Sequence, residues 1–480
     1  MRALAMALAV ALVGPRTASA QGTTVTVPVP ATQAGRGAGD RADAAADEDG
    51  RASGRLTEAA LAGAASAVGA AAPGPPEPTP ADVQAAAGMR VYLMTIGQGD
   101  VVWERFGHNA LWIQDPARGT DVAYNWGMFD FAQPNFLGRF LTGDTKYWME
   151  GFDARAMVDH YARNENRTVV AQELNLTAEQ KARLRAYVEW NAREANKFYR
   201  YDYYRDNCST RVRDAIDLAV GGALRRAIGG APTGTSYRSH TRRLVAGSAA
   251  TYTGIQLALG RPADAPIDAW EESFVPMRLM EHVRRVRVPT AGGAPQPLVL
   301  RTDTLYAARR EAELASAPSY VIGYALAGLA IGALLLVLGR AGAAGRRGAD
   351  AGFGVVAGLW TLIVGLAGTA LLLAGTVTKH VFMGRNGNLL AVSPLGLVLF
   401  IVLLLAVGYR QPAPRMRWRG RAAKLAALLA VLTVLGAIIT LLPRVGQEST
   451  ELFALLVPVH LALWWALRPA TGVTRPRSAA

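Results

Sequence analysis

A single cysteine stands where covalent chemistry is favoured. Cys208 lies directly before an amphipathic segment at 209–220 that has helical spacing. A thiol at a helix N-terminus faces unpaired backbone N–H groups and the positive end of the helix dipole, and both favour the thiolate. We therefore predict that Cys208 is a nucleophile with a lowered pKa. The alternative is that this lone cysteine is a small buried hydrophobe.

An upstream histidine is the candidate base. His108 begins an apolar strand pattern and follows Gly107, which leaves room beside the ring. A base at the end of a strand can face a helix-borne thiol across a cleft, as thiol catalysis requires. Asn125, on the next predicted strand, is our candidate to orient the imidazole, and Glu104 is the alternative.

Backbone N–H groups around Cys208 and Ser209, beside Asn207, are the predicted oxyanion donors, with Glu104 also near the site. The other histidines lack the spacing of metal ligands, and the chain has one cysteine. We therefore expect no metal site and no cofactor.

The elements that position these residues belong to a folded domain at 89–317. From Val91 onward apolar and polar residues alternate between turns, which is typical of strands. Leu176–Ala195 has helical spacing, and Thr177 with Gln180 forms a capping box at its start. The domain is therefore predicted to be α+β.

The chain around this domain is not that of one soluble globular protein. Of its 480 residues 51% are hydrophobic, and 51 Lys and Arg face 37 Asp and Glu, which gives a net charge of +14. Twelve of the basic residues lie between or after long apolar runs, where membrane topology explains them. We therefore expect no nucleic acid partner. A signal peptide is predicted at 1–20 and a disordered Ala/Gly/Pro-rich spacer at 21–88.

Five apolar runs predict transmembrane helices at 318–339, 352–376, 389–409, 425–442 and 452–467. The first and third connecting segments and the tail at 468–480 carry the twelve basic residues, against three in the second and fourth. The positive-inside rule then places the tail in the cytoplasm and residues 21–317 in the periplasm. We predict a multi-pass protein of the bacterial inner membrane.

Several short motifs together resemble the periplasmic DUF4105 domain of Lnb-type lipoprotein N-acyltransferases. They extend over about 91–288 and comprise Gly99-Asp100, Trp103-Glu104-Arg105-Phe106-Gly107-His108, Tyr124-Asn125-Trp126-Gly127, Asn135-Phe136, Tyr147-Trp148, Asn166-Arg167, Tyr201-Asp202-Tyr203, Asn207-Cys208-Ser209-Thr210, Trp270, Phe274 and Pro276. The order of histidine before cysteine also resembles circularly permuted NlpC/P60 enzymes, which are papain-like. The resemblance implies a papain-like catalytic domain with Cys208 as nucleophile and His108 as its base.

The same resemblance implies an acyltransferase. Its acyl donor would be a phospholipid, and its acceptor the N-terminal amine of a diacylglyceryl-cysteine lipoprotein. The loop between the second and third runs is similar to a His…Asn-x-Asn-Leu-Leu segment of membrane-embedded members. That similarity predicts that His380, Asn386 and Asn388 position the substrate, although a plain interfacial loop is the alternative.

Two other functions compete with this one. Papain-like folds also cleave amide bonds, so a cell-wall peptidase or amidase is the first alternative. A non-catalytic exported receptor or scaffold is the second. The membrane spans favour the acyltransferase, because both its substrates reside in the bilayer.

Overall fold

The computed structural model describes residues 74–290, 293–408, 411–442 and 446–468. The predicted signal peptide at 1–20, the spacer up to residue 73 and the tail from residue 469 lie outside the described residues. Within them, the predicted fold class is confirmed: an α+β domain is followed by a region of apolar helices.

The folded domain begins earlier than residue 89, which corrects the C-terminal limit of the predicted spacer. Helix α1, Pro80–Ala86, starts at a capping box in which Thr79 and Asp82 bond each other's backbone N–H. Asp82 also pairs with buried Arg185, and Ala86 is fully buried in the core. The alanine-rich composition hid this helix, because it packs by small side chains and is fixed by its cap.

A seven-stranded antiparallel sheet forms the centre of the domain, in the order β11-β5-β1-β2-β3-β4-β6. Its strands are β1 Arg90–Ile96, β2 His108–Asp115, β3 Thr120–Met128, β4 Lys146–Asp153, β5 Val169–Leu174, β6 Phe198–Arg200 and β11 Val299–Tyr306. Two small two-stranded sheets accompany it, formed by β7 Pro232–Ser236 with β8 Pro266–Asp268 and by β9 Arg287–Thr290 with β10 Gly293–Pro297. The central strand β1 is buried on both faces, so the sheet lies between two layers of side chains.

Helices cover the sheet and fill the space between it and the membrane region. They are α2 Phe136–Thr142, α3 Ala154–Asp159, α4 Ala178–Asn191, α5 Cys208–Ala219, α6 Ala223–Ile228, α7 Tyr237–Val245, α8 Ala249–Ala258, α9 Ala269–Glu272 and α10 Pro276–Arg285. The predicted capping box of Thr177 and Gln180 is confirmed at the start of α4. Apolar residues of α4 and α5 share one core with β1 and β2, which fixes α5 against the sheet.

The C-terminal region contains α11 Val321–Ala343, α12 Arg347–Val377, α13 Leu395–Gly408, α14 Pro412–Thr440 and α15 Thr450–Leu467. All of these except α13 are by themselves long and apolar enough to cross a membrane. The expected third span at 389–409 is broken, because a 3₁₀ turn at Gly387–Leu390 precedes α13 at a bend of 43°. Pro394 stands at this break, where it restricts the backbone of the residue before it.

The basic segment before the fourth expected span is part of α14, which also corrects the sequence interpretation. The expected span begins at residue 425, but the helix begins at Pro412. Pro is favoured in the first turn of a helix, and Arg has a high helix propensity. Arg415 and Arg419 both pair with Asp350 of α12, so this basic turn is anchored to its neighbour.

Contacts with the sheet domain show which helix ends lie on the same side. The residues before α11, those between α12 and α13, and those between α14 and α15 all contact the domain. The chain must therefore leave the domain side along α11, return along α12, leave along α13, return along α14 and leave along α15. Five traverses follow from this alternation, although α13 has only 14 residues.

A buried ion pair joins the start of α15 to the domain. The Glu451 carboxylate accepts hydrogen bonds from Arg242 Nη2 at 3.0 Å, from the Tyr252 hydroxyl at 2.7 Å and from the Tyr320 backbone N–H at 2.7 Å. Arg242 also lies 3.6 Å from Glu448, whose side chain is 52% exposed. The two glutamates therefore offer a matched comparison of a buried and an exposed partner.

We expect Glu451→Ala to lower the free energy of unfolding by about 3–5 kcal/mol, because the substitution removes the buried carboxylate that pairs with the Arg242 charge. Glu448→Ala should cost about 0–1 kcal/mol, since exposed ion pairs contribute little. Thermal unfolding of the two purified variants in detergent measures the difference. Equal losses would show that Glu451 is not the partner that anchors Arg242.

Candidate active site

The N-terminus of α5 is fixed by one asparagine side chain. Asn207 Oδ1 accepts hydrogen bonds from the backbone N–H groups of Ser209 and Thr210, both at 2.9 Å. Its Nδ2 donates to the carbonyls of Tyr203 at 3.1 Å and Phe274 at 3.0 Å. Every polar atom of this amide is therefore used to hold the first turn of the helix that carries Cys208.

Ser209 has a structural role at this point, and its part as an oxyanion donor stays a prediction. The Ser209 N–H is bound to Asn207, and the Ser209 hydroxyl donates to Asn109 Oδ1 at 2.7 Å and to the Ser273 carbonyl at 2.6 Å. Ser209 is fully buried, so its side chain joins α5 to β2 and to the loop after α9. Asn207 and Ser209 thus position the helix.

Asn109, the residue after His108, brings the helix and the strand together. Its Nδ2 donates to Thr95 Oγ1 at 2.8 Å, and its Oδ1 accepts from Ser209. Its backbone N–H favours the Cys208 thiolate, as do the backbone N–H groups of Ser209 and Cys208. These three backbone amides are therefore the groups that stabilise negative charge at the sulfur.

Burial raises the pKa of the Cys208 thiol, which contradicts the expectation of a lowered value. Cys208 is buried, and loss of hydration outweighs the stabilising backbone N–H groups of Asn109 and Ser209 and the charge of Arg167. The helix N-terminus acts as predicted, but it does not compensate for the missing water. The resting residue is therefore a thiol.

His108 is held by Asn125 on the neighbouring strand. Asn125 pairs with Ala110 across β2 and β3, and His108 lies two residues before Ala110 on the same face. The His108 Nε2 and Asn125 Oδ1 atoms are 2.8 Å apart. Asn125 Nδ2 donates to the Ala123 carbonyl at 2.9 Å, so its oxygen faces the ring. Nε2 then carries the proton and donates it, which leaves Nδ1 as the basic nitrogen.

Burial lowers the pKa of His108 to about 4, against a smaller upward effect of the Asn125 hydrogen bond. At neutral pH the imidazole is therefore uncharged and able to accept a proton. Because thiol and imidazole are both neutral, reaction at the sulfur would require the thiol to lose its proton during the attack, since no thiolate–imidazolium ion pair exists beforehand.

Gly107 allows the chain to enter β2 at His108. Its φ is +82°, a conformation that favours glycine, and an added Cβ would lie 2.8 Å from the Ile96 carbonyl oxygen. The predicted need for a small residue beside His108 therefore has a backbone cause. Any side chain here would push the start of β2 away from β1.

Glu104, the predicted alternative to Asn125, lies in the turn that precedes β2. Its backbone carbonyl accepts from the N–H groups of Gly99 and Gly107, at 2.9 Å and 3.0 Å. Burial raises the pKa of its carboxyl, and the nearby charge of Glu165 adds to this effect. His108 Nε2 bonds the side-chain oxygen of Asn125 and not that of Glu104. The role that the structure supports for Glu104 is to shape the turn.

The predicted substrate-positioning residues are not equivalent. Asn386 Nδ2 donates to the carbonyls of Leu257 at 2.9 Å and Ala258 at 3.0 Å, and Asn388 Nδ2 donates to Leu257 at 3.0 Å. Both asparagines are buried, and they satisfy the free carbonyls at the end of α8. They therefore attach the loop to the domain, and a part in substrate positioning stays a prediction for both.

His380 lies apart from this pair. Its Nε2 donates to the Phe140 carbonyl at 3.0 Å, and its ring centroid is 6.2 Å from that of Tyr203. It therefore contacts α2 and the segment that precedes Cys208. A part in substrate positioning stays a prediction for His380.

Four further residues surround the thiol and the imidazole. Arg167 is buried, and its charge acts on both Cys208 and His108. It donates to Glu165 at 2.9 Å, and the Tyr161 ring lies 6.4 Å from His108. Gly127 places its Cα beside Cys208, where a Cβ would lie 3.6 Å from that of the cysteine. Arg167 and Gly127 were part of the resemblance, whereas no sequence signal pointed to Tyr161 or Glu165.

One family of known proteins matches part of the chain. Residues 82–243 match the family described as the Lnb N-terminal periplasmic domain. This segment is similar to that domain. The match confirms the resemblance, contains His108, Asn125 and Cys208, and ends before the apolar helices. No curated protein and no solved structure matches the chain.

Because burial raises its pKa, we expect Cys208 of the folded Lnb-type protein to react slowly with iodoacetamide at pH 7. The rate should rise steeply above the ordinary thiol range of about 8.5. The chain has no other cysteine, so incorporated label reports this residue alone. Unfolding in guanidinium should restore the rate of a free thiol. Rapid labelling of the folded protein below pH 7 would instead show a thiolate.

The bond between His108 and Asn125 predicts opposite effects of two substitutions. Asn125→Asp should raise the pKa of His108 by roughly 1–3 units, because a carboxylate favours the charged imidazolium. Asn125→Leu removes the hydrogen bond that favours the charged ring, so the pKa should not rise. NMR of ¹³C-labelled histidine, assigned with His108→Gln, measures both. A His108 resonance that responds to neither change would place Asn125 outside its first contacts.

Proposed function

We propose that the protein is an acyltransferase of the bacterial inner membrane that acylates lipoproteins in the periplasm. It takes an acyl chain from a phospholipid and passes it through Cys208 to the α-amine of a diacylglyceryl-cysteine lipoprotein. The observation that carries this proposal is the Lnb domain with Cys208 at a helix start, beside a strand that begins with an asparagine-held His108.

The first half-reaction forms a thioester. His108 Nδ1 accepts the thiol proton as Cys208 Sγ attacks the ester carbonyl of the phospholipid. The backbone amides of Asn109 and Cys208 are available to the oxyanion that develops. The ester C–O bond then breaks, and the proton passes from His108 to the departing glyceryl oxygen, which leaves as a lysophospholipid.

The second half-reaction uses the same base in the same order. The neutral α-amine of the lipoprotein attacks the thioester carbonyl and gives its proton to His108. The C–S bond breaks as an amide forms, and His108 returns the proton to Cys208 Sγ. One covalent intermediate shared by two substrates gives ping-pong kinetics.

The junction between domain and membrane helices supports this reaction over a soluble one. Asn386, Asn388, Gln447 and Glu451 all bind the domain through buried polar contacts. These contacts support a site close to a membrane surface, where an acyl donor and a lipidated acceptor would both be concentrated.

Reconstituted protein tests the proposal. Incubated with phospholipid, it should gain the mass of one acyl chain at Cys208, and addition of a diacylglyceryl-cysteine peptide should discharge that chain onto the peptide amine. Cys208→Ala should abolish both steps, and His108→Ala should slow them by about 10²–10⁴-fold. The double variant should be no worse than Cys208→Ala, because the pair acts as a unit.

Other outcomes identify the competing functions. Release of free fatty acid at the same rate with and without the peptide amine would indicate a hydrolase. Cleavage of cell-wall peptides without any lipid would indicate the peptidase or amidase. Full function of Cys208→Ser in cells, judged by mass spectrometry of lipoprotein N-termini, would leave only a receptor or scaffold.

A further inference from the structure

The domain exposes large apolar side chains at the end that meets the membrane helices. We call this set the aromatic face: Trp103, Phe131, Leu137, Phe140 and Leu141 are all exposed. Phe131 contacts Trp103 and Phe136 edge-on, with centroids 5.9 Å and 5.1 Å apart. Soluble surfaces rarely display such a contiguous set, so its position requires a reason.

The aromatic face is attached to the point where a spanning helix ends. The Lys379 backbone N–H donates to the Thr142 carbonyl at 2.8 Å, and His380 donates to the Phe140 carbonyl. Helix α12 ends at Val377, two residues earlier, and Val377 and Val381 are themselves exposed. Helix α2 therefore lies at the level where the chain leaves the hydrocarbon core.

A row of rings leads from the aromatic face to the thiol. Phe129 lies 5.0 Å from Phe131 and 5.1 Å from Tyr147, and Tyr147 stacks on Tyr201 at 4.4 Å. The Tyr201 ring lies at Gly127, where an added Cβ would be 3.5 Å from the tyrosine and 3.6 Å from the Cys208 Cβ. The position that a Gly127 side chain would occupy therefore borders both the Tyr201 ring and the Cys208 Cβ.

We propose that the aromatic face inserts into the outer leaflet and that the row of rings leads one phospholipid acyl chain to Cys208. This inference rests on the proposed acyl transfer. Aromatic side chains are favoured at the membrane interface. The apolar surfaces of the rings offer an acyl chain a path to the buried Cys208. The ligand is therefore a phospholipid of the bilayer. The aromatic face binds it first, and its ester group then reaches the Cys208 sulfur.

Depth measurements test the contact with the membrane. In a Cys208→Ala background, Phe131→Cys and Phe140→Cys each give one labelling position for bimane. Leu300→Cys is the matched control, because Leu300 on β11 is 58% exposed and Phe131 is 63% exposed. In nanodiscs of brominated phosphatidylcholine, bimane at 131 and 140 should be quenched and bimane at 300 should not. No quenching at 131 and 140, or equal quenching at all three positions, would overturn the proposal.

Acylation tests the path to the thiol. With Cys208 retained, Phe131→Ser/Phe140→Ser should slow acylation of Cys208 by bilayer phospholipid on the order of tenfold or more. Acylation by water-soluble p-nitrophenyl acetate should not change, and Leu300→Ser should behave like the parent. Unchanged acylation by phospholipid would overturn the path.

The two experiments separate this inference from the proposed function. If the parent protein forms no acyl-enzyme with phospholipid, the proposed transfer fails and the path fails with it. The quenching result is independent of any reaction, so it alone decides whether the aromatic face contacts the bilayer. If bimane at 131 and 140 is not quenched while the parent protein still forms the acyl-enzyme with phospholipid, the inference is overturned and the proposed function is left intact.

Discussion

The side chain of Asn207 is the constraint on which the site depends. It caps α5 with its oxygen and, with its nitrogen, binds the carbonyls of Tyr203 and Phe274. These two carbonyls come from segments on different sides of the helix start. The position of Cys208 is therefore set by three pieces of chain that meet at one amide, and a cap that would ordinarily contribute about 1 kcal/mol here fixes the candidate nucleophile.

The same meeting point extends to the membrane region through aromatic rings. Phe274 lies against Tyr204 and Tyr237, and both of these rings contact Phe382 in the loop after α12, at 4.7 Å and 5.0 Å. Close approach continues at Gly260, whose N–H donates to the Phe382 carbonyl at 2.7 Å. A Cβ on Gly260 would overlap the Gly384 carbonyl, so the loop can lie on the domain only beside glycine. Movement of the loop after α12 would therefore displace Phe274, whose carbonyl binds the Asn207 side chain that caps α5.

The sequence predicts those parts of the structure that depend on interactions between residues close together in the chain. Strand alternation after Val91, the capping box at Thr177 and the helix that follows Cys208 could all be predicted, because each depends on neighbours in sequence. The role of Asn386 and Asn388 could not, since it depends on the free carbonyls of α8, about 130 residues earlier. Helix α1 was missed for the opposite reason, because its alanines carry almost no apolar signal of their own.

The pKa of Cys208 shows how a correct local rule can yield a wrong net result. A helix N-terminus and backbone N–H groups do stabilise a thiolate, but the loss of hydration on burial opposes them more strongly, and only the fold reveals that burial. Burial disfavours the charged form of both groups. It therefore lowers the pKa of His108 and raises that of Cys208. Thiol and imidazole are thus both kept neutral by the same desolvation. Neither of these two groups therefore carries a charge at neutral pH, whereas the buried Arg167 has a charge that acts on both of them.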